Sequence, residues 1–139
     1  MKTSPRGFSL IELLVVLAII GVLVAIAIPS YDAYLRRGSR AAAQGFMLQV
    51  SGKQAQYLLD ARNYAVGATA VADLGLSVPP DVSPYYSLAV ENSAGGTTAT
   101  TPPSYRVRAT PVTGTRQASD GELILMDNGS KSRGGAAGW

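Results

Sequence analysis

Gly7-Phe8-Ser9-Leu10-Ile11-Glu12 opens an apolar run that continues to Ile28 and decides the fold of this chain. From Phe8 to Ile28 the only charged side chain is that of Glu12. A helix of this length rises about 1.5 Å per residue and crosses a hydrocarbon layer about 30 Å thick. A soluble domain of 139 residues does not need such a segment. We therefore expect the run to lie in a membrane, to be removed, or to be buried against an equally apolar surface.

The unusual feature of this run is the carboxylate of Glu12. A charged side chain within an apolar span costs about 2.5–3.5 kcal/mol on the lower scales. Because a plain anchor has no use for such a group, we expect Glu12 to have a partner and a function. The alternative is that Glu12, only about 7 Å into the run, lies among the lipid headgroups and stays hydrated.

The segment before the run carries Lys2 and Arg6 and no acidic residue. Such a basic leader holds the N-terminus of a membrane protein in the cytoplasm. An ordinary secretory signal has the same start, and Ala25-Ile26-Ala27 offers it a small-x-small cleavage site. The charge of Glu12 within the apolar region and the length of that region both argue against this alternative.

These features resemble the class III signal of type IV pilins and pseudopilins: Gly7, Phe8, Glu12 four positions later, and an apolar helix followed by Pro29. The resemblance implies that a prepilin peptidase cuts between Gly7 and Phe8 and that the new amino group of Phe8 is methylated. It also implies that Glu12, in the water-free core of a filament, pairs with the amino group of Phe8 in a neighbouring subunit. A buried carboxylate needs such a cation, and the pair would set the register between subunits.

The resemblance also implies a leader over residues 1–7, a transmembrane and filament-core helix over 8–29, and a head over 30–139. The mature protein would sit in inner-membrane lipid with its N-terminus in the cytoplasm and its head in the periplasm. An inner-membrane assembly platform would then move it into an extracellular helical filament of pilin subunits. Pro29 has no backbone N–H, so we expect a helix kink or a locally melted turn there.

The head is predicted to be α+β, with one long helix packed on a three- or four-stranded antiparallel sheet. Helix is expected over residues 30–63, a loop rich in proline and small residues over 65–84, and the sheet over 85–139. Apolar residues at steps of three and four predict the buried side of the helix: Ala43, Met47, Val50, Tyr57, Leu58 and Ala61. Strands are predicted at 85–90, 105–110 and 122–126, with a short fourth strand in the tail.

Three glycines of the predicted helix are seven residues apart: Gly38, Gly45 and Gly52. Each weakens a helix by about 1 kcal/mol relative to alanine. Their spacing places them on one face, where they could permit close approach of another helix.

Arg36, Arg37 and Arg40 form a basic cluster just beyond the span. The positive-inside rule would place such a cluster in the cytoplasm, whereas the predicted topology places it outside. One interpretation is a solvated helix face in which Asp32 pairs with Arg36 at i, i+4. The other is contact with anionic headgroups or with a neighbouring subunit, and we favour the solvated face.

The strand region is also similar to minor pilins of the PilE type, through Tyr105-x-Val107-x-Ala109, Leu123-Ile124-Leu125 and Trp139. Many of those proteins close this region with a disulfide, but this chain has no cysteine. A disulfide of this kind stabilises a fold by about 2–4 kcal/mol. We therefore expect either a looser tail or a tail held by the packing of Trp139.

The composition argues against an enzyme. The chain has no cysteine and no histidine, which removes cysteine-based metal sites and the commonest general base. It has no phosphate-binding loop, dinucleotide fingerprint or nucleophile elbow, and we predict no cofactor. Asp120, Glu122 and Asp127 could ligate calcium, which takes six to eight oxygens. Because no loop consensus surrounds these acids, we favour a solvated turn and predict no metal.

DNA is the weakest partner hypothesis. Arg106 and Arg108 share a strand face and, together with Lys131 and Arg133, could form a basic stripe. No aromatic stacking partners are evident on that face, so we favour exposed strand arginines without a ligand. The formal charge of +3 includes two residues of the leader, so the mature chain is nearly neutral.

We predict a structural subunit, a minor pilin of a type IV pilus, that supports pilus biogenesis and pilus-dependent motility, adhesion or DNA uptake. The alternatives are a pseudopilin of a type II secretion system, which differs in the head, and a membrane-anchored binding module with an ordinary signal. The mature N-terminus separates these classes, because methylated Phe8 indicates a pilin, Ile28 ordinary secretion and retained Met1 a simple anchor.

Overall fold

A computed structural model describes residues 7–139, and the predicted leader therefore lies, except for Gly7, outside the described residues. Within them, two helices precede one sheet of five strands, which confirms the predicted α+β class. The elements are α1 Leu10–Ala61, α2 Ala70–Asp73, β1 Tyr86–Glu91, β2 Arg106–Pro111, β3 Leu123–Met126, β4 Lys131–Arg133 and β5 Ala136–Ala137.

Two compact units make up the chain, with the boundary between Leu35 and Arg36. The first unit contains the N-terminal part of α1. The second contains the rest of α1, α2 and the sheet, and is called the head from here on.

Pro29 lies inside α1, which is one continuous helix. The prediction of a locally melted turn at Pro29 is therefore wrong, while the kink stays a prediction. A proline inside a helix lacks the N–H that would donate to the carbonyl four residues earlier, which for Pro29 is that of Ala25. The hydroxyl of Ser30 donates a hydrogen bond of 3.3 Å to the carbonyl of Ile26.

The five strands pair in chain order as an antiparallel meander. The register pairs Val90 with Val107 and Val107 with Leu125, which places these side chains on one buried face. The alternation predicted for β2 is confirmed, because Val107 is buried while its neighbours Arg106 and Arg108 are half-buried.

The sheet has one strand more than the largest number predicted. Gly134 and Gly135, with φ of 56° and 85°, turn the chain from β4 into β5. This left-handed backbone conformation is one that glycine adopts freely. Because glycine is depleted in strands, a glycine-rich tail gives little strand signal in the sequence.

The buried side of α1 in the head joins the same core as the sheet. Its buried residues are Ser39, Ala43, Phe46, Met47, Val50 and Gln54. The first part of the predicted apolar side is confirmed and its end is wrong, because Ala61 is exposed. Gln54 closes the buried side: its Nε2 donates to the Ala65 carbonyl at 2.6 Å, and its Oε1 accepts from the Ala65 N–H at 3.0 Å. The chain after α1 is thereby tied back onto the helix.

The connection between α1 and β1 is not the simple loop that was predicted. Arg62 follows α1 with a φ of 54°, and the single-turn helix α2 lies further along. Ala70, Leu74 and Val82 bury their side chains in the core from this connection. A helix of one turn owes its stability to such packing rather than to its own sequence, so periodicity does not reveal it.

Candidate assembly and interaction sites

The N-terminal end of α1 presents the predicted processing and assembly residues to solvent. Phe8 is 78% exposed. Glu12 is exposed in the first turn, where its backbone N–H donates to the Ser9 carbonyl at 3.1 Å. A carboxylate in this position interacts favourably with the helix dipole. None of the ion pairs found among residues 7–139 involves Glu12, so these residues offer it no cation within one copy.

The apolar run is uncovered in the isolated chain. Near the N-terminus, α1 is long and apolar enough to cross a membrane, and no part of that stretch is buried. A shallow groove of about 350 Å³ lies on the run between Val15, Ala18, Ile19, Val22 and Leu23. Apolar surface of this extent requires lipid or other apolar helices around it.

A polar network fastens the β2–β3 connection to α1 inside the head. Arg40 donates from Nε to Asp120 Oδ2 at 2.7 Å, and its second nitrogen donates to Oδ1. Asp120, with a side chain only 4% exposed, also accepts from the Tyr86 hydroxyl. The buried amide of Gln117 donates to that hydroxyl at 2.8 Å and to the Arg36 carbonyl at 3.2 Å. Arg40 is therefore a structural group of the head.

The hydroxyl of Tyr86 is kept protonated within this network. Burial raises its pKa above the ordinary value of 10.0, against the hydrogen bond from Gln117, which lowers it. The hydroxyl therefore remains a donor to Asp120 at every physiological pH.

A second ion-pair cluster joins β1, β2 and Glu122. Glu91 is 5% exposed and accepts hydrogen bonds from Arg106 Nε at 2.9 Å and from Arg108. Arg108 also pairs with Glu122 at 3.5 Å. Burial by itself would raise the pKa of Glu91, but the hydrogen bonds from Arg108 and Arg106 outweigh it and hold the pKa below the ordinary value of 4.5. Both strand arginines, Arg106 and Arg108, are therefore paired with carboxylates.

The side chain of Trp139 holds the tail against the sheet. Its ring packs on the edge of the core, and its Nε1 donates to the Ile124 carbonyl at 3.2 Å. The Lys131 ammonium lies 4.6 Å from the ring centroid, within cation–π range. Of the two expectations for a tail without a disulfide, packing by Trp139 is confirmed.

Comparison with known proteins decides which family carries this architecture. Residues 29–123 match the family model described as "Type IV minor pilin ComP, DNA uptake sequence receptor". Residues 2–28 match the prokaryotic N-terminal methylation motif. The chain belongs to the type IV pilin family. It is a pilin whose apolar helix anchors it in a membrane before it enters a pilus, as the sequence predicted.

Similar pilins include proteins of Dichelobacter and Neisseria. The type IV major fimbrial protein FimA of Dichelobacter nodosus is 32% identical over 126 residues, which cover 89% of this chain and 78% of FimA. The type IV major pilin protein PilE1 of Neisseria gonorrhoeae is 35% identical over 103 residues, which cover 72% of this pilin and 59% of PilE1. A fimbrial protein of Neisseria meningitidis is 33% identical over 102 residues, covering 72% and 57%. This pilin thus spans less than two thirds of both Neisseria relatives.

The basic cluster of this pilin is only partly a solvated face. Arg37 is exposed, as predicted. Arg36 is half-buried and donates to the Ser119 hydroxyl at 3.5 Å. The predicted pair of Asp32 with Arg36 is not among the ion pairs of the described chain. For Arg40 the solvated-face interpretation is wrong, because its guanidinium belongs to the network in the head.

The three acids considered for calcium are not brought together. Asp120 pairs with Arg40, and Glu122 pairs with Arg108. Asp127 follows β3 in the turn before β4. From residue 7 to residue 139, no group of three or more acids could hold a metal ion.

Two residues of the polar networks in the head, Glu91 and Gln117, were not predicted from the sequence. Glu91 lies opposite Arg106 in the register of β1 and β2, so a prediction of that register would have found the pair. Gln117 lies between β2 and β3 and reaches Arg36, far away in the sequence. Nothing near Gln117 in the sequence signals this contact.

Proposed function

We propose that this pilin is a minor subunit whose precursor is cut between Gly7 and Phe8, methylated on Phe8, and placed in the filament through Glu12. One observation carries the proposal: the apolar run is wholly uncovered in the folded chain and bears an acid in its first turn. In a bundle of such helices that carboxylate requires a cation. The amino group of Phe8 in another subunit supplies one after cleavage.

The proposed topology places the N-terminus in the cytoplasm and the head in the periplasm, before an inner-membrane platform extracts the subunit. The basic residues Lys2 and Arg6 support this orientation. A prepilin peptidase that also methylates Phe8 is the first partner, and other pilin subunits follow. The match to a type IV minor pilin model favours a pilus over a type II secretion pseudopilus.

Mass spectrometry of the mature protein tests the processing step. We expect methylated Phe8 as the first residue. A mature protein that starts at Ile28 or retains Met1 would contradict the proposal.

Shearing of filaments from cells tests the role of Glu12. The Glu12→Gln variant should be processed normally, yet its share in sheared filaments should fall, because the amide cannot neutralise a buried amine. Ser9→Ala, directly before α1, is the matched control and should assemble like the wild type. Equal incorporation of Glu12→Gln and wild type would remove Glu12 from the mechanism.

DNA binding is a second candidate, favoured by the description of the model that matches residues 29–123. The exposed Arg37 is the best-placed cation, whereas Arg106 is engaged by Glu91. We expect DNA affinity that weakens as salt rises and that Arg37→Gln lowers, with Arg106→Gln as a control of equal charge change. A mobility shift of full-length protein in detergent measures this, and no shift at low salt would exclude the candidate.

A further inference from the structure

The guanidinium of Arg116 has no acidic partner in the head. Arg116 lies half-buried in the β2–β3 connection, and it forms none of the ion pairs found among residues 7–139. Its Nε is shut off from solvent and has no hydrogen-bond partner there. The half-buried Arg40, Arg106 and Arg108 each pair with a carboxylate instead. Because a buried charge or donor without a partner is costly, Arg116 requires an explanation of its own.

Two neutral side chains hold the Arg116 guanidinium in place. Its central carbon lies 4.2 Å from the centroid of the Tyr85 ring, which is a cation–π contact. Its Nη2 donates to the hydroxyl of Ser39, a buried residue of α1, at 3.3 Å. These contacts orient the guanidinium without cancelling its charge. A group whose orientation is fixed beforehand binds a ligand at a lower entropic cost.

An open cleft of about 310 Å³, which we call the Arg116 cleft, lies between α1 and the two connections that flank β1 and β2. Its lining includes residues of all three segments: Gly38, Ser39, Asp81, Pro84, Tyr85 and Arg116. Sites for small molecules have volumes of about 300–1,000 Å³, so this cleft is at the small end of the range.

The turn that carries Asp81 has a defined shape. The N–H of Val82 donates to the Pro79 carbonyl at 3.0 Å, and the Val82 side chain is fully buried. The N–H of Tyr85 donates to the Val82 carbonyl at 2.9 Å. Asp81 itself is exposed and, like Arg116, forms no ion pair within the part of the chain that the structure describes. One unpaired anion and one unpaired cation therefore line the same cleft.

We propose that the Arg116 cleft binds a small α-amino acid, with the ligand's carboxylate at Arg116 and its ammonium group at Asp81. An anion alone would be repelled by Asp81 and a cation alone by Arg116, whereas a zwitterion complements both charges. The planar guanidinium matches a carboxylate in shape. The Ser39 hydroxyl accepts from Arg116 and has no other hydrogen bond in the described chain, so its O–H is free to donate to the same carboxylate. The apolar part of the ligand would lie against Pro84 and the Tyr85 ring.

Leucine and two analogues that each lack one charge test the site. NMR spectra of the isotope-labelled full-length protein in detergent are recorded with leucine, with isocaproate, which lacks the ammonium group, and with isoamylamine, which lacks the carboxylate. We expect leucine to shift the signals of the Arg116 Nε–H and the Gly38 amide with a Kd of about 1 mM, since so small a ligand gains little beyond the entropic cost of binding. Each analogue loses one charged contact and should bind at least about tenfold more weakly.

Two substitutions separate ligand binding from a structural role, with the Gly38 amide as the reporter. Asp81→Asn removes an exposed carboxylate, so leucine should bind about tenfold more weakly and isocaproate more tightly than to the wild type. Arg116→Gln should abolish the binding of leucine and isocaproate but not that of isoamylamine. Arg37→Gln makes the same charge change at an exposed residue outside the lining and should leave the affinity for leucine unchanged.

Three outcomes would overturn the proposal. The first is that leucine shifts no signal of the cleft at any soluble concentration. The second is that isocaproate or isoamylamine binds the wild type as tightly as leucine does, which would make the cleft a site for a simple ion. The third is that Asp81→Asn and Arg37→Gln bind leucine equally well. Filament assembly is not a readout here, so failure of this proposal leaves the proposed function untouched.

Discussion

Replacing Asp120 by alanine is expected to lower the free energy of unfolding of the head by about 3–5 kcal/mol. The Asp120 side chain is 4% exposed and accepts two donations from Arg40 and one from Tyr86. Its removal leaves a half-buried guanidinium without a counter-ion, and breaking a buried pair costs about this much. A domain of this size is stable by about 5–15 kcal/mol, so the loss is a large fraction of the total.

The physical origin of this loss can be isolated with a second substitution. Arg40→Met/Asp120→Leu removes both charges together and leaves no unpaired ion, so it should recover most of the stability lost in Asp120→Ala. Asp127→Ala is the matched control. Asp120 precedes β3 and Asp127 follows it, and Asp127 forms no ion pair in the described chain. This control should change stability by about 0.5 kcal/mol or less.

Urea unfolding of the full-length protein in detergent, followed by tryptophan fluorescence, measures these differences. Trp139 is the only tryptophan and packs on the sheet, so its emission reports on the head. An equal and small loss for Asp120→Ala and Asp127→Ala would refute the reasoning. So would a double variant no more stable than Asp120→Ala.

Three further predictions concern the head. As pH falls below about 4.5, the free energy of unfolding should decline, because the pKa of Glu91 is lower in the folded than in the unfolded protein. The stability that the Glu91 carboxylate contributes is present above its unfolded pKa and is lost as it is protonated. Glu91→Gln should flatten this decline in acid titrations. Gln54→Leu should cost about 2–4 kcal/mol in urea unfolding, since it orphans the buried N–H and carbonyl of Ala65, whereas Gln49→Leu should cost little. Arg62→Gly should raise the melting temperature by a few degrees, because glycine relieves a left-handed backbone at φ 54°, worth about 1 kcal/mol.

The features that were predicted correctly from the sequence depend on residues that are close together in the chain. The motif Gly7-Phe8 with Glu12 ahead of an apolar run predicted the family. Alternation around Val107 predicted β2 and its buried side. Because the chain has no cysteine, we predicted either a looser tail or a tail held by Trp139, and Trp139 packs on the sheet.

What sequence could not supply is the pairing of residues that only the fold brings together. Arg40 and Asp120 are 80 positions apart, and no periodicity connects them. Arg106 and Arg108 were placed on one strand face, yet their partner Glu91 requires the register of two strands. The solvated-face interpretation is therefore wrong at Arg40, because the acid that pairs with it is distant in the sequence.

The ties between Arg40 and Asp120, and between Gln117 and the Arg36 carbonyl, have a mechanical consequence. Both ties lie within the first five residues of the part of α1 that belongs to the head, at Arg36 and Arg40. If α1 slid relative to the β2–β3 connection, these hydrogen bonds would have to break. A pulling force on α1 in a filament would therefore be opposed by these hydrogen bonds together with the hydrophobic core that α1 shares with the sheet.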